Sequence, residues 1–293
     1  MFVATIVATD ALGQGDISAA WDRLADAGCA PNAAHVIEVG KAVDLPFAQD
    51  PKEARATLAA LSGTIDSIVQ RASNRQKKLL IADMDSTMIT VECIDELADY
   101  AGIKAQIAAV TEAAMRGELD FAEALRARVA LLAGMDETLI DQCRAERVKI
   151  MPGAKALVQT MRARGAQTVL VSGGFTRFAE PVAAEIGFAR VVANVLDIAN
   201  GQLTGTVAQP IVDALRKRQE LERACAAFGI DPADAMAVGD GANDIPMIEA
   251  AGLGVAYHAK EKARTAADAE IRHGDLSVLL YAQGIKRTDW VEG

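Results

Sequence analysis

The chain has 293 residues, a formal net charge of -10, 51% hydrophobic and 24% charged residues, and only 4% aromatics. That length suits one large domain with an insertion or two domains, and the composition is that of a globular protein and not a disordered one. The acidity argues against a nucleic-acid face, because the densest basic cluster, Arg216-Lys217-Arg218, is too small to neutralise a run of phosphates.

Met1 to Ala8 is an apolar, β-branched run that reads as a strand. Ala19, Ala20, Leu24 and Ala25 follow at helical spacing, with Asp16 or Ser18 as the cap and Gly28 as the stop. Residues 34 to 39 read as a second strand. Asp50-Pro51 opens another helix with proline in its first turn, its apolar positions running through Leu58, Leu61, Ile65 and Val69. The polar stretch 71 to 78 reads as a linker. Residues 1 to about 75 are thus expected to form a small α/β unit. It lacks a glycine-rich phosphate loop, and two readings stay open: a packing or dimerisation module, or a ligand-sensing one.

From Lys78 the pattern changes. Leu79-Leu80-Ile81-Ala82, Thr168-Val169-Leu170-Val171 and Ala235-Met236-Ala237-Val238 are short apolar runs, each ending in a polar motif. Such runs are strands buried on both faces. Helical patterns lie between them, including Gly153 to Arg164 and Asp213 to Phe228. The alternation predicts a Rossmann-like, doubly wound parallel sheet over residues 76–293. Residues 89 to 150 read as helical throughout and interrupt the alternation after the first strand, as an inserted helical cap would. Ligands of such sheets sit beyond the carboxyl ends of the strands, so the three motifs are expected to converge.

Their chemistry is compatible with phosphate. Asp83 and Asp85, two apart after a buried strand, are costly unless a cation pairs with them, and a magnesium ion with oxygen ligands would do so. Ser172-Gly173-Gly174 offers a hydroxyl and small residues that let backbone N–H groups approach an anion. A lysine near the start of the 213–228 helix supplies a point charge, although chemistry alone does not choose Lys217 over Arg216 or Arg218. Gly239-Asp240-Gly241-Ala242-Asn243-Asp244 adds two carboxylates and an amide after another buried strand. Taken singly, D-x-D or S-G-G is also an ordinary polar turn.

In this order, D-x-D-x-T, then Ser, then Lys, then GDGxND, the set resembles the haloacid-dehalogenase-like phosphatases over roughly residues 78 to 280. Residues 82–87, 171–174 and 239–244, the cap stretch 125–132 and the stretch 252–260 resemble the phosphoserine phosphatase family in particular. The resemblance implies a magnesium-dependent hydrolase of phosphoserine working through an aspartyl phosphate. Asp83 would be the nucleophile. Asp85 would be the general acid and base and lend its backbone carbonyl to the metal, with Asp83 and Asp240 as the other protein ligands. Ser172, the Gly173 N–H and Lys217 would hold the phosphate. Glu92 would meet the substrate ammonium and Arg128 its carboxylate, with Met115 and Phe121 lining the cap side. Asn243 and Asp244 would complete the phosphate and metal surroundings, with Thr87 behind them. The N-terminal unit is loosely similar to ACT-like regulatory domains, and a homodimer is an expected assembly.

Cys29, Cys93, Cys143 and Cys225 are scattered without C-x-x-C spacing, which argues against zinc and against a disulfide framework. Free thiols, no basic N-terminal leader and no apolar run of membrane-spanning length together predict a cytoplasmic protein. His35, His258 and His273 fall outside the motifs, so histidine catalysis is not expected.

Overall fold

The computed structural model describes residues 1–61 and 63–291. The N-terminal unit runs β1 (Phe2–Ala8), α1 (Gln14–Asp26), β2 (His35–Glu38), β3 (Ala42–Phe47), α2 (Pro51–Leu58) and β4 (Ile65–Arg71). Its four strands form one antiparallel sheet in the order β2-β3-β1-β4. The period of two splits its side chains between two cores. Ala4, Ile6, Leu45, Phe47 and Val69 pack under α1 and α2 with Leu24 and Leu58. Val7, Ala42 and Ile68 face the other way and join the core of the rest of the chain.

Three details differ from the sequence reading, the first being the strand β3, which no pattern announced. The helix opened by Asp50, whose carboxylate accepts the Glu53 N–H at 3.0 Å, stops at Leu58, and Ile65 and Val69 belong to a strand. The spacing of Leu58, Leu61, Ile65 and Val69 fits a helix, but Gly63, at φ +84°, breaks it, and β-branched Ile65, Ile68 and Val69 suit the pleated edge that β1 offers. α1 begins earlier than expected. Gly13 is its N-cap, and Asp16 sits in the first turn, where its carboxylate accepts the Gly13 N–H at 2.9 Å.

The larger unit runs β5 (Leu79–Ala82), then α3 (Cys93–Tyr100), α4 (Lys104–Met115), α5 (Phe121–Ala130) and α6 (Thr138–Arg147), then α7 (Ala154–Ala163), β6 (Gln167–Phe175), α8 (Thr176–Ile186) and β7 (Arg190–Asn194). A hairpin of β8 (Leu196–Ala199) and β9 (Gln202–Val207) leads to α9 (Ala214–Phe228), β10 (Ala235–Gly239), α10 (Ile245–Ala250), β11 (Leu253–Tyr257), α11 (Glu261–Ala266), β12 (Ala269–Ile271) and α12 (Val278–Ala282). The six-stranded sheet is parallel throughout, in the order β12-β11-β10-β5-β6-β7. Leu80, Ala82, Leu170, Met236 and Val238 pack on one face with residues of α7, α8 and α12. Leu79, Ile81, Val169, Val171, Ala235 and Ala237 pack on the other with α9. This is the doubly wound sheet expected of apolar runs that end in polar motifs.

Helices α3 to α6 form the cap, and an antiparallel bridge between Ile89 and Ile150 ties its two stems together. The cap is not purely helical in its surroundings. β9 packs against α5, and Asp136 bridges to Gln202, so the β8–β9 hairpin supports it from outside the 89–150 segment.

The two units meet where β4 packs against β12 and β1 against α12. Asp66, 3% exposed, accepts the N–H groups of Arg272 (2.8 Å), His273 (3.2 Å) and Gly274 (2.7 Å). Arg75 grips Asp44 with both terminal nitrogens and donates to the Ala282 carbonyl at 3.0 Å, and the Gln70 amide donates to the same carbonyl at 2.7 Å.

Candidate active site

The register of the sheet brings the motifs side by side. Ala82 pairs with Val238 of β10 and with Leu170 of β6. Asp83 and Asp240, just past β5 and β10, and Ser172, near the end of β6, therefore lie side by side at the same edge. The Asp83 N–H continues the ladder to the Val238 carbonyl at 3.0 Å.

The structure separates the three consecutive basic residues that the sequence could not. Lys217 lies in the first turns of α9, which Asp213 caps, and is 1% exposed. Its Nζ lies 2.6 Å from Asp83 Oδ1 and 2.7 Å from Asp244 Oδ1. Arg216 turns instead to Glu220 at 2.9 Å and Arg218 to Glu222 at 2.8 Å. Both arginine charges are thus spent locally, and the field at the strand ends comes from Lys217 alone among the three.

Asp244 is fully buried, and its Oδ2 accepts the N–H groups of Asp240 at 3.2 Å and Gly241 at 3.0 Å. Gly239 makes this approach possible: a Cβ there would lie 2.4 Å from Asp244 Cγ. Carboxylate oxygens of Asp83, Asp240 and Asp244 lie within 4.8 Å of one another. Burial, and then Asp244, push the Asp83 carboxyl well up against the pull of Lys217. The same two causes, in that order, push Asp240 up to about 6. Burial works against the Lys217 charge, but Asp244 and Asp83 raise its pKa further than burial lowers it. Three buried carboxylates facing one ammonium carry excess negative charge. A small divalent cation with a preference for oxygen ligands fits this donor set.

Asp85 follows on the loop toward the cap. Burial, and then the charge of Glu92, push its carboxyl up to about 7, with Cys93 acting in the opposite direction. Asp85 Oδ1 and Thr87 Oγ1 are buried without a hydrogen-bond partner among the described residues. Ser86 between them holds a left-handed backbone, φ +54°, and its Oγ donates to Glu92 Oε1 at 2.7 Å. Such conformations outside glycine persist where the surroundings enforce them, commonly at functional sites.

A cleft of about 680 Å³ opens between these strand ends and the cap, within the range of small-molecule sites. Asp83, Asp85, Glu92, Phe121, Arg128, Ser172, Gly173, Asp240 and Asn243 all line it. Arg128, half-buried on α5, donates from Nε to the Ala124 carbonyl at 3.3 Å, and its two Nη groups have no hydrogen-bond acceptor among the described residues. Burial lowers its pKa, countered by Asp95, Glu92 and Asp85. Phe121 lies so close over the cradle that a Cβ on Gly173 would meet its ring at 3.0 Å. Met115 closes α4, but its side chain lies outside the described residues. Lys217, Asp244 and Thr87 stand behind the cleft wall.

The sequence reading missed several neighbours. Thr111 and Leu119 line the cap side, and Lys260 and Lys262 the mouth. The Lys260 N–H donates to the Asp240 carbonyl at 3.0 Å. Lys260 ends the 252–260 stretch already singled out, whereas no local pattern marks Thr111 or Leu119.

Residues 77–252 match the family model described as haloacid dehalogenase-like hydrolase, a span that takes in the cap and strands β5, β6, β7 and β10. The chain is 51% identical over 208 residues to a phosphoserine phosphatase of Albidiferax ferrireducens, covering 69% of this chain and 88% of that protein. It is 47% identical over 213 residues to a phosphoserine phosphatase of Mycobacterium tuberculosis, covering 73% of this chain but 52% of that protein. Among solved structures, a probable phosphoserine phosphatase of Vibrio cholerae superposes with a TM-score of 0.75 at 32% identity, over 96% of this chain and 88% of that one. A phospho-aspartyl intermediate analogue of phosphoserine phosphatase superposes at 0.66 with 36% identity, over 72% of this chain and all of that one. The chain therefore belongs to the haloacid dehalogenase-like hydrolases and, within them, to the phosphoserine phosphatase family.

Proposed function

We propose that the chain hydrolyses O-phosphoserine to serine and phosphate through a phosphoenzyme on Asp83. The observation that carries this reading is the placing of opposite charges across one cleft. Carboxylate and lysine chemistry lies at the strand ends, and Glu92 and Arg128 face it from the cap side. A phosphate monoester bearing one ammonium and one carboxylate matches all three.

An Asp83 oxygen attacks phosphorus, the bond from phosphorus to the serine oxygen breaks, and Asp85 gives that oxygen its proton. Asp85 then takes a proton from the water that attacks the phosphoenzyme, and the Asp83–phosphorus bond breaks. A carboxyl pushed up to about 7 is suited to both roles at neutral pH. Lys217, Ser172 and the Gly173 N–H hold the phosphoryl oxygens as charge spreads over them, with Asn243 at the rim. Magnesium, held by Asp83, Asp240 and the Asp85 carbonyl, would supply further positive charge to those oxygens, and Asp244 and Thr87 support its surroundings. Arg128 takes the substrate carboxylate and Glu92 its ammonium, while Phe121 closes the apolar side.

The same proposal divides the chain at about residue 75, with catalysis in 76–293 under a cap at about 89–150. The seam of β4 on β12 and β1 on α12 supports a packing role for the N-terminal unit. The exposed Val36 on the edge strand β2 and Val39 just beyond it (56% and 90%) support self-association into a homodimer. Four buried, unpaired thiols support a cytoplasmic location.

The test is magnesium-dependent phosphate release from phosphoserine, phosphoethanolamine and 3-phosphoglycerate. The highest kcat/KM should fall to phosphoserine. Equal values for all three would overturn the substrate assignment.

A further inference from the structure

Asn194, the last residue of β7, is 1% exposed and lies outside every motif. Along the β6–β7 ladder, Val171 pairs with Val192, but the next pair is Phe175 with Asn194. Four steps on β6 thus match two on β7, and the surplus forms a bulge at Ser172-Gly173-Gly174. Backbone groups displaced from a regular ladder need other partners. Asn194 supplies one: its Nδ2 donates to the Gly173 carbonyl at 2.8 Å.

Its other end reaches a different element. Asn194 Oδ1 accepts the Val212 N–H at 2.8 Å. Val212 immediately precedes Asp213, the residue that caps α9 and whose carbonyl accepts the Lys217 N–H at 3.0 Å. One side-chain amide therefore ties the Ser172–Gly174 bulge to the entry of the helix that carries Lys217.

The Gly173 carbonyl and the Gly174 N–H belong to one planar peptide and point in opposite directions. With the carbonyl held by Asn194, the N–H is directed at Ser172 Oγ, to which it donates at 2.9 Å. A serine oxygen that accepts on one side has its own proton free for another acceptor. The amide orientation is also fixed. Turned over, it would set oxygen against the Gly173 carbonyl and NH₂ against the Val212 N–H.

Building on the phosphatase reading above, we propose that Asn194 is a positioning residue that holds the two arms of the phosphate cradle, the Ser172–Gly174 bulge and the Lys217 helix, in fixed register. It does not touch substrate. Its amide sets the direction of the Ser172 hydroxyl and the spacing between that hydroxyl and Lys217.

Asn194→Asp keeps the acceptor for Val212 but sets an oxygen against the Gly173 carbonyl, and Asn194→Leu removes both contacts at similar volume. In either variant, inhibition by inorganic phosphate should weaken about tenfold or more and kcat should fall by at least as much. Inhibition by serine, which engages Glu92 and Arg128, should stay within about twofold. A merely structural role would weaken both inhibitors together. That result, or an unchanged phosphate inhibition constant in a folded variant, overturns the proposal. Should neither variant fold, the Asn194 side-chain amide resonances of ¹⁵N-asparagine-labelled wild type decide. Beryllium fluoride should shift them and slow their hydrogen exchange, and indifference to it overturns the proposal. A wild type that neither hydrolyses phosphoserine nor binds phosphate would instead refute the phosphatase reading itself.

Discussion

Replacing Arg128 by alanine separates a phosphoserine phosphatase from a phosphatase of any small ester. The side chain is half-buried on α5, anchored through Nε to the Ala124 carbonyl, with no acceptor for its two Nη groups among the described residues, and lines the cleft. A guanidinium so held grips a carboxylate bidentately at little further entropic cost. Losing one partner of a buried charge pair costs about 2–5 kcal/mol. Because Arg128 is not fully buried, the lower part of that range applies, about 2–3 kcal/mol, or roughly 30- to 150-fold in kcat/KM. Phosphoethanolamine lacks the carboxylate and should lose less than about threefold. Steady-state phosphate release on both esters gives the answer as a ratio, in which the active fraction of each preparation cancels. Equal losses on the two substrates would refute the assignment of Arg128 to the carboxylate.

Other consequences follow from buried charge. Lys217→Met leaves Asp83 and Asp244 without their shared ammonium and should cost about 3–5 kcal/mol in magnesium-free urea unfolding at pH 8; a loss under 1 kcal/mol would contradict the pairing. Chelation should abolish turnover and magnesium restore it. Because Asp240 is pushed up to about 6, protons compete with the cation below that pH, and magnesium affinity measured by calorimetry should weaken between pH 7.5 and 5.5; a flat profile would argue against Asp240 as a ligand. Asp66→Ala removes the acceptor of three N–H groups at the seam and should cost about 2–4 kcal/mol while leaving KM for phosphoserine within about twofold.

How much was legible depended on whether local pattern and tertiary contact agreed. β5, β6 and β10 were readable because a strand buried on both faces is a bare apolar run, and each of these ends in a motif. β3 was hidden by Pro46 and by Asp44, a buried carboxylate that makes sense only beside Thr5 and Arg75, 39 and 31 residues away. β4 carried a helical period as good as its strand period, and only its pairing with β1 decides between them. At the site, the motif residues were legible, but the choice of Lys217 over its two neighbours needed Glu220 and Glu222 in place. Asn194 left no signal, since its importance comes from a ladder mismatch that no sequence window contains.

Catalysis rests on a covalent intermediate at Asp83. The direct measurement is rapid acid quench of the wild type during turnover of phosphoserine, followed by borohydride reduction and peptide mass spectrometry. An acyl phosphate on Asp83 becomes a homoserine at that position, and this product is expected at Asp83 alone and absent in Asp83→Asn. Reduction at another carboxylate, or sustained turnover by Asp83→Asn, would contradict it.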